Sequence, residues 1–405
     1  MLKLEDFRGI VEDKTLAEIY ARARGLYGKH IVHVNSTYMG GGVAEILYSL
    51  VMLMNDVGID TGWRIVHGTP DFFEITKSFH NALQGADIDL TKEKKQLYLD
   101  VNRSYSRFAH LDHDCVIVHD PQPLALIRSY RKRQPWIWRC HIDLTVPNPQ
   151  LWDFLKGFIL KYDQVVVSSE KYLKEDLPID QRLLPPAINP LNSKNIDISE
   201  EVMMDYIKKA GIPTDKPLIT QVSRLDPWKD PSGVIDIFEL VKEKFDCRLL
   251  FCYNLASDDP EGVEMYHKTY QKAKKYVESG DILFVVGNND LLVNAIQKFS
   301  DIIIQKSIKE GFCLSVTEAL WKQTPVVASN VGGIPLQIVD GEGGFLLDPQ
   351  DINGFADRII HILKNPDSAK DIGQKAKEKV RKEFLITRLL SDHLDMYNAV
   401  INQKS

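Results

Sequence analysis

The chain has 405 residues, of which 44% are hydrophobic and 26% are charged, and its net charge is −6 at pH 7. A chain of this length exceeds the size of one typical hydrophobic core, so we expect two domains of roughly 200 residues each. The negative net charge argues against a general nucleic-acid binder and against a binder of anionic membranes.

The sequence also predicts a cytoplasmic protein. Its five cysteines are scattered and odd in number, which is typical of free thiols in a reducing compartment. The first eight residues are charged and lack the apolar core of a signal peptide, and no run of about 18 apolar residues occurs. We therefore expect no membrane partner.

In chain order, short runs rich in Val and Ile alternate with longer stretches of helical period. This pattern is typical of parallel sheets that helices cover on both faces. The first series of predicted strands comprises residues 31–34, 63–66, 115–118, 136–140 and 164–167. The second series comprises residues 218–222, 248–253, 282–286, 301–305 and 325–328. Each series predicts a doubly wound α/β domain.

A proline-rich connector marks the predicted domain boundary. Pro185, Pro186 and Pro190 disfavour helix and stiffen an extended chain. The stretch 383–400 has helical period, and we expect it to cross back and pack on the first domain. The predicted domains are residues 1–188 with 384–405, and residues 189–383, facing each other across a cleft.

A glycine loop follows the first predicted strand. Gly40, Gly41 and Gly42 precede a good helix-forming segment, and glycines allow the backbone to approach a ligand closely. The spacing is not G-x-G-x-x-G, and no acidic residue is placed to hold an adenosine ribose, so a dinucleotide site is poorly supported. A tight turn without a ligand is the alternative.

In the second series, two carboxylates bracket a glycine and the start of a predicted helix. Glu310 directly precedes Gly311, and Glu318 lies one to two turns into the helix. Backbone N–H groups at the positive end of a helix dipole bind phosphate, and carboxylates can hold hydroxyl groups. The segment therefore predicts a nucleotide-sugar site, with two solvated glutamates as the alternative.

Two cations follow the predicted strand 218–222. Arg224 and Lys229 lie beyond the carboxyl end of this strand, where open α/β sheets bind their ligands. Such cations can neutralise a departing nucleoside diphosphate. The alternative is a surface salt bridge with Asp226 or Asp230.

Histidines and carboxylates follow two strands of the first series. His119 precedes Asp120, and His141 lies two positions before Asp143. A histidine near a carboxylate can orient a sugar hydroxyl or influence its proton, but either histidine can equally be a satisfied structural residue. No Asp-x-Asp motif lies near the predicted phosphate site, so we expect no tightly held metal ion.

Taken together, Arg224 with Lys229, residues 310–320 and residues 325–333 resemble the retaining GT-B glycosyltransferases of family 4. Within that family, residues 34–47 and 138–144 are similar to the trehalose glycosyltransferring synthases, which join a nucleotide-activated glucose to free glucose. The resemblance covers nearly the whole chain. It implies an α/β protein with a GT-B fold of two Rossmann-like domains.

The resemblance also implies roles for individual residues. Arg224 and Lys229 would contact the diphosphate, Glu310 the transferred glucose and Glu318 the ribose. The implied catalytic residues are Arg224, Lys229, Glu310 and His141. Further implied donor-binding residues are Gly311, Phe312, Cys313, Leu314, Ser315, Gly41, Gly42 and Asn254. Further implied acceptor-binding residues are Gly40, Asp143 and His119, in addition to His141.

This sequence departs from the family pattern at two places. Gln305-Lys306-Ser307 stands where the family has Pro-Ser ahead of the first glutamate, and Cys313 stands where a glycine is common. Neither change removes a charged contact, but both alter the chain around the expected donor sugar.

The resemblance leads us to expect a retaining glucosyltransferase that makes α,α-trehalose from a nucleoside diphosphate glucose, such as UDP- or ADP-glucose, and free D-glucose. We expect no tightly bound cofactor, although Mg²⁺ can accompany the diphosphate as a loose counterion, and a homodimer is compatible with the sequence. Three alternatives stay open: a family 4 transferase with a different acceptor, a nucleotide-sugar epimerase on the same fold, and a non-catalytic nucleotide-sugar sensor.

Overall fold

A computed structural model describes residues 2–254 and 260–402 of the chain. The chain divides into two compact units, which we call unit 1 and unit 2. Unit 1 comprises Met1–Ala187 and Ile386–Ser405, and unit 2 comprises Ile188–Leu385. The sequence placed the two divisions after residues 188 and 383, within the proline-rich connector and before the last helix.

Unit 1 contains one parallel sheet of six strands. They are β1 (His30–Asn35), β2 (Asp60–Ile65), β3 (Cys115–His119), β4 (Trp136–Arg139), β5 (Gln164–Val167) and β6 (Asp180–Leu183). Their order across the sheet is β2-β1-β3-β4-β5-β6. β3 is buried along its whole length, as expected for a parallel strand that is covered on both faces.

Helices connect these strands. They are α1 (Asp13–Ala23), α2 (Gly42–Asp56), α3 (Pro70–Leu83), α4 (Lys92–Ser106) and α5 (Pro149–Ile159), with 3₁₀ segments at Leu4–Phe7, Arg24–Leu26, Leu124–Ser129 and Glu170–Tyr172. The Thr69, Thr91 and Asn148 side chains accept hydrogen bonds from first-turn N–H groups of α3, α4 and α5. These three helices therefore begin at residues that cap them.

Unit 2 contains a second parallel sheet of six strands. They are β7 (Leu218–Val222), β8 (Arg248–Tyr253), β9 (Ile282–Val286), β10 (Ile302–Gln305), β11 (Val326–Ser329) and β12 (Phe345–Leu347). Their order is β12-β11-β10-β7-β8-β9.

The helices of unit 2 are α6 (Glu200–Lys209), α7 (Pro231–Lys242), α8 (Pro260–Glu278), α9 (Asp290–Phe299), α10 (Leu314–Trp321), α11 (Ile334–Gln337), α12 (Ile352–Lys364) and α13 (Pro366–Glu383). A 3₁₀ turn at Pro227–Lys229 precedes α7. The core of the unit lies where β7, β8 and β10 pack against α7 and α12, around Phe238, Phe251 and Phe355.

The last helix, α14 (Ile386–Asn402), belongs to unit 1. It packs on α1 and α2, and the Asn398 side chain donates a hydrogen bond to the Arg22 carbonyl at 3.0 Å. The approach is close, because a Cβ on Gly25 would lie 2.4 Å from the Asn398 side-chain oxygen. The prediction that the C-terminal helix returns to the first domain is confirmed.

The doubly wound α/β architecture is confirmed, and each predicted strand is present with limits shifted by a few residues at most. Two strands were missed. β6 has the sequence Asp-Gln-Arg-Leu and lies at the edge of its sheet, so it lacks an apolar run. β12 has three residues, which is too short to give a pattern.

All five cysteines are buried and free, as the sequence predicted. Among the described residues, no helix has both the length and the apolar character needed to cross a membrane.

Candidate active site

In unit 2, two loops leave the sheet at the same edge. β7 and β10 are neighbouring parallel strands, so residues 223–230 and 306–313 start side by side. Lys229 from the first loop and Glu310 from the second form an ion pair, and both side chains are largely buried. The Ser307 hydroxyl lies 3.4 Å from Oε2 of Glu310. The structure thus joins two residues that the sequence proposed separately.

The ion pair keeps Lys229 charged. Burial alone would lower the pKa of Lys229, but attraction from Glu310, with smaller contributions from Cys313 and Asp226, outweighs burial and raises this pKa above its ordinary value. A positive charge is therefore held at the carboxyl edge of the sheet at neutral pH.

Arg224 is the second predicted cation at this edge. Its side chain is 57% exposed, and its guanidinium lies 3.6 Å from the carboxylate of Asp226. The salt bridge considered from the sequence is therefore present, but an exposed pair of this length adds little stability. The guanidinium group stays accessible from solvent.

The two aspartates of this loop shape the backbone. Asp226 accepts a hydrogen bond from the Lys229 N–H at 3.2 Å. Asp230 has a left-handed conformation (φ 41°), caps α7 by accepting from the Gly233 N–H at 3.0 Å, and forms an ion pair with Lys306. Lys306 is one of the departures from the family pattern. It adds a second buried ion pair that ties the same two loops together.

The Glu310 loop enters α10 through a constrained turn. Cys313 has a φ of +75°, which is unusual for a residue with a side chain, and α10 begins at Leu314. The resemblance noted from the sequence implies a glycine at this position, and a left-handed backbone favours glycine. The Gln337 amide donates to the carbonyl oxygens of Phe312 and Cys313. These bonds hold the loop in place beside the first N–H groups of α10.

Glu318 lies in the second turn of α10 and is 4% exposed. Gln297 donates to its Oε2 at 3.3 Å, and the Lys194 ammonium lies 3.9 Å from its Oε1. Burial lowers the pKa of nearby Lys322 to about 7, although Glu318 opposes this shift. Each oxygen of the Glu318 carboxylate thus has at least one nitrogen partner within 4 Å. Asn254 is exposed at the end of β8.

Ser315 lies in the first turn of α10, and Gly40 and Gly41 lie between β1 and α2. The Ser315 hydroxyl lies 3.3 Å from Sγ of Cys313 in the first turn of α10. In unit 1, Gly40 has a φ of +81°, which favours glycine, and α2 begins at Gly42. A Cβ on Gly40 or Gly41 would meet nothing within 4 Å. The backbone of this loop therefore borders open space.

His119 and His141 are in direct contact. Nδ1 of His119 lies 3.0 Å from Nε2 of His141, and the rings are stacked. Nε2 of His119 lies 2.9 Å from Nδ1 of His33. Both ring nitrogens of His119 are engaged and its side chain is buried, which disfavours its implied role as a direct contact of the acceptor sugar. His141 is half-buried and is the outer member of the pair.

The carboxylates next to these histidines accept hydrogen bonds from backbone N–H groups. Asp143 is buried, and its Oδ1 accepts a hydrogen bond from the Thr145 N–H at 2.8 Å, so it orders its own loop. Asp120 accepts from the His141 backbone N–H at 2.7 Å. Burial raises the pKa of Asp120 to about 7, although this hydrogen bond and the charge of Arg139 oppose the shift. Asp120 thus holds the backbone of His141.

Sequence reasoning missed three residues of this cluster: His33 in β1, and His393 and Tyr397 in α14. The Tyr397 hydroxyl lies 3.2 Å from Nε2 of His33, and the His393 ring lies beside both rings. A polar residue inside the apolar run of β1 is a signal that could have identified His33. His393 and Tyr397 lie four positions apart on one face of α14. Core residues have the same spacing, so the sequence pattern does not distinguish these two from ordinary core residues.

Comparison with known proteins identifies the family. Residues 33–174 match the family "Trehalose synthase, N-terminal domain", and residues 203–379 match "Glycosyl transferases group 1". The chain is 46% identical over 401 residues to the trehalose synthase of Thermococcus litoralis, covering 98% of this chain and 97% of that protein. The chain belongs to the trehalose synthase family. It is also 42% identical over 407 residues to the trehalose synthase of Rubrobacter xylanophilus, covering 97% of this chain and 96% of that protein.

A solved structure has the same fold. The α,α-trehalose-phosphate synthase (UDP-forming) from Burkholderia xenovorans, in complex with glucose-6-phosphate, matches with a TM-score of 0.74 and 14% identity, covering 92% of this chain and 100% of that chain. At this identity the likeness concerns the GT-B fold alone. Membership of the trehalose synthase family makes the chain a glycosyltransferase of trehalose metabolism, which sets the sensor hypothesis aside.

Gly333→Ala is expected to displace the Glu310 loop. A Cβ at this position would lie 2.8 Å from the Gly311 carbonyl oxygen and 2.9 Å from Cα of Phe312. We expect a loss of about 1–3 kcal/mol in the free energy of unfolding and a lower transfer rate, measured by chemical denaturation and initial rates. Gly157→Ala in α5, where a Cβ meets nothing within 4 Å, is the matched control. Wild-type stability and rate in Gly333→Ala would contradict this close packing.

Acid is expected to destabilise unit 1 through its buried histidines. Burial lowers the pKa of His33 to about 3 and moves the pKa values of His119, His141 and His393 well below their ordinary range. These rings stay neutral in the folded protein, whereas in the unfolded chain they take up protons below about pH 6.5. The unfolded state therefore binds more protons, and the free energy of unfolding falls as the pH falls from about 6.5 toward 3. Asp120, with its raised pKa, acts in the opposite sense between about pH 7 and 4 and offsets part of one histidine's effect.

The measurement is urea unfolding at several pH values between about 7.5 and 5. His393→Gln should reduce the slope of the free energy of unfolding against pH by up to about 1.4 kcal/mol per pH unit. The reason is that the folded variant has one fewer imidazole that stays neutral while its unfolded counterpart takes up a proton. His267→Gln, at an exposed position in α8, should leave the slope unchanged. A wild-type free energy of unfolding that stays constant or rises on acidification would contradict the neutral state of the cluster.

Proposed function

We propose that this member of the trehalose synthase family is a retaining glucosyltransferase that forms α,α-trehalose from a nucleoside diphosphate glucose and free D-glucose. The observation that carries the proposal is the Lys229–Glu310 ion pair at the carboxyl edge of the unit 2 sheet, with the exposed cation of Arg224 in the same loop. This edge offers two positive charges to a diphosphate and a carboxylate to a sugar. The names of the full-length relatives agree with trehalose as the product.

In the proposed donor site, Glu318 accepts hydrogen bonds from the ribose hydroxyls. The backbone from Gly311 to Cys313 and the first-turn N–H groups of Leu314 and Ser315 bind the sugar and phosphate oxygens, because the N-terminus of a helix favours anions. Asn254, which is exposed after β8, is proposed to contact the base of the donor. Phe312 contributes its backbone, since its side chain is buried.

The proposed chemistry breaks the bond between the anomeric carbon and the diphosphate oxygen. Negative charge grows on the departing diphosphate, so Arg224 and Lys229 stabilise the transition state more than the ground state. The acceptor hydroxyl forms the new bond on the face that the diphosphate leaves, and its proton passes to a departing phosphate oxygen. The α configuration is kept without a carboxylate nucleophile, unlike the paired carboxylates of retaining hydrolases. Glu310 therefore orients glucose hydroxyls and does not attack the sugar.

Unit 1 is proposed to provide the acceptor contacts. The half-buried His141 and the open backbone of Gly40 are the groups suited to bind glucose, and Gly41 and Gly42 are suited to a close approach to phosphate. His119 acts behind His141 and not on the sugar.

We further propose that no tightly bound metal takes part and that Mg²⁺ serves only as a loose counterion of the diphosphate. The positive charges of Arg224 and Lys229 supply the neutralisation that a bound metal would otherwise give. No group of three or more His, Cys, Asp or Glu residues in the described parts of the chain is placed to hold a metal ion. The five free cysteines agree with a proposed cytoplasmic location.

The deciding experiment incubates the purified protein with UDP-, ADP- and GDP-glucose, each with and without free glucose, and analyses the products by NMR. The proposal predicts α,α-trehalose and nucleoside diphosphate in equal amounts, only when glucose is present, with little change after EDTA treatment. Conversion of the donor sugar without glucose would identify an epimerase instead. A product with another linkage, or transfer only to another sugar, would identify a transferase with a different acceptor.

Arg224→Met tests the cation at the diphosphate. Loss of one charge-stabilising group typically lowers kcat by about 10²–10³, and the exposure of Arg224 predicts an unchanged melting temperature. Arg103→Met is the matched control, because Arg103 is 65% exposed and also paired with an aspartate, Asp100, at 2.6 Å. Equal rates in the two variants would remove Arg224 from the proposed site.

A further inference from the structure

Four side chains of unit 1 form one continuous hydrogen-bonded chain, which we call the histidine relay: Tyr397, His33, His119 and His141. The Tyr397 hydroxyl lies 3.2 Å from Nε2 of His33, Nδ1 of His33 lies 2.9 Å from Nε2 of His119, and Nδ1 of His119 lies 3.0 Å from Nε2 of His141. The first three side chains are buried, and His141 is half-buried at the outer end. The relay therefore runs from the core of unit 1 to His141, the residue that is proposed to bind the acceptor sugar.

The hydrogen bonds of the relay must all run in one direction. A neutral imidazole carries one N–H donor and one acceptor nitrogen, and both nitrogens of His33 and of His119 are used within the relay. If His33 donates through Nδ1, His119 must accept at Nε2 and donate through Nδ1. The direction of any one bond thus sets the protonation of every ring.

The buried end sets this direction. Burial raises the pKa of Tyr397 well above its ordinary value and lowers that of His33 to about 3, so the phenol keeps its proton and the imidazole is neutral. A buried O–H group needs an acceptor, and Nε2 of His33, 3.2 Å from the hydroxyl oxygen, can accept from it. Each Nε2 then accepts and each Nδ1 donates along the relay.

Neighbouring charges disfavour any imidazolium in the relay. After burial, proximity to His33, His141 and then Arg139 lowers the pKa of His119 further. For His141, the positive charge of Arg139 is the largest cause after burial and also lowers the pKa. His393 packs beside His33, and its Nδ1 lies 2.8 Å from the Leu389 carbonyl of its own helix, which can only accept. Asp120 holds the backbone of His141 and leaves the ring to be oriented by His119.

We propose that Tyr397, acting through His33 and His119, fixes the tautomer of His141, with Nε2 accepting from His119 and the proton on Nδ1. His141 then presents an N–H donor to the acceptor sugar, a role that rests on the proposed function. Tyr397, His33 and His119 are positioning residues, since none of them touches the sugar. In the opposite tautomer, Nδ1 would present a lone pair and could not donate to a sugar oxygen.

The tautomer can be measured without any substrate. In wild-type protein labelled with ¹⁵N-histidine, we expect the His141 ring at neutral pH to show a protonated Nδ1 and an unprotonated Nε2, with its signals assigned by their loss in His141→Gln. In Tyr397→Phe the constraint is removed, so the signals should move toward a mixture of the two tautomers. A proton on Nε2 of His141 in the wild-type protein would overturn the proposal.

Tyr162→Phe is the matched control for Tyr397→Phe. Tyr162 is a buried tyrosine of the same unit whose hydroxyl donates to the Leu124 carbonyl at 2.8 Å, outside the relay. Both variants lose one buried hydrogen bond and should lose similar stability. Only Tyr397→Phe should change the His141 signals. Identical His141 signals in Tyr397→Phe and Tyr162→Phe would overturn the proposal even if both variants are less stable.

Kinetics provide the second readout. Tyr397→Phe should lower kcat/KM for the acceptor by roughly three- to tenfold, the worth of about one hydrogen bond, while Tyr162→Phe keeps the wild-type value. An unchanged kcat/KM in Tyr397→Phe with altered tautomers would overturn the link to catalysis. If the wild-type protein makes no trehalose but shows the expected tautomer of His141, the proposed function is wrong while the proposed control of the tautomer is supported. Failure of one proposal can therefore be distinguished from failure of the other.

Discussion

Parallel strand pairing is the constraint on which both groups of candidate residues depend. In a parallel sheet the carboxyl ends of all strands lie at one edge, so residues far apart in sequence meet there. β7 and β10 are neighbours, which brings Lys229 to Glu310 across 81 positions of the chain. In unit 1, β1, β3 and β4 are consecutive in the sheet, and this order places His33, His119 and His141 in line. Neither arrangement has a local signal in the sequence.

A buried charge at this edge of the sheet is tolerated only where an opposite charge pairs with it. A buried lysine or carboxylate alone would be strongly disfavoured, and pairing offsets the loss of hydration without adding much net stability. The pairs Lys229–Glu310 and Lys306–Asp230 link the same two loops of unit 2. Their main consequence is therefore geometric. They fix the spacing between the loop that carries the exposed Arg224 and the loop that leads into α10.

The sequence predicted the fold well because buried parallel strands are continuous apolar runs, and it failed at β6 and β12 because an edge strand and a three-residue strand need no such run. It also singled out Glu310, Lys229, His119 and His141 as candidates, since unusual residues follow strand ends. It could not predict their partners. Lys306 looked like a disturbance of the donor loop, yet it forms an ion pair with the N-cap of α7. From the sequence, His119 could equally be an acceptor contact or a structural histidine, and the structure shows it bonded to His33 of the neighbouring strand.

The buried face of helix α14 carries polar side chains that contribute to the hydrogen-bond network of unit 1 as well as to packing. Its inner face carries His393 and Tyr397, where apolar side chains would bury more surface without needing partners. His393 satisfies Nδ1 within α14, at the Leu389 carbonyl, whereas Tyr397 reaches β1 and bonds to His33. As a structural contact alone, this hydroxyl contributes about one buried hydrogen bond, which a phenylalanine could not supply. The polar contact has a further consequence because His33 passes the choice of donor and acceptor onward to His119 and His141.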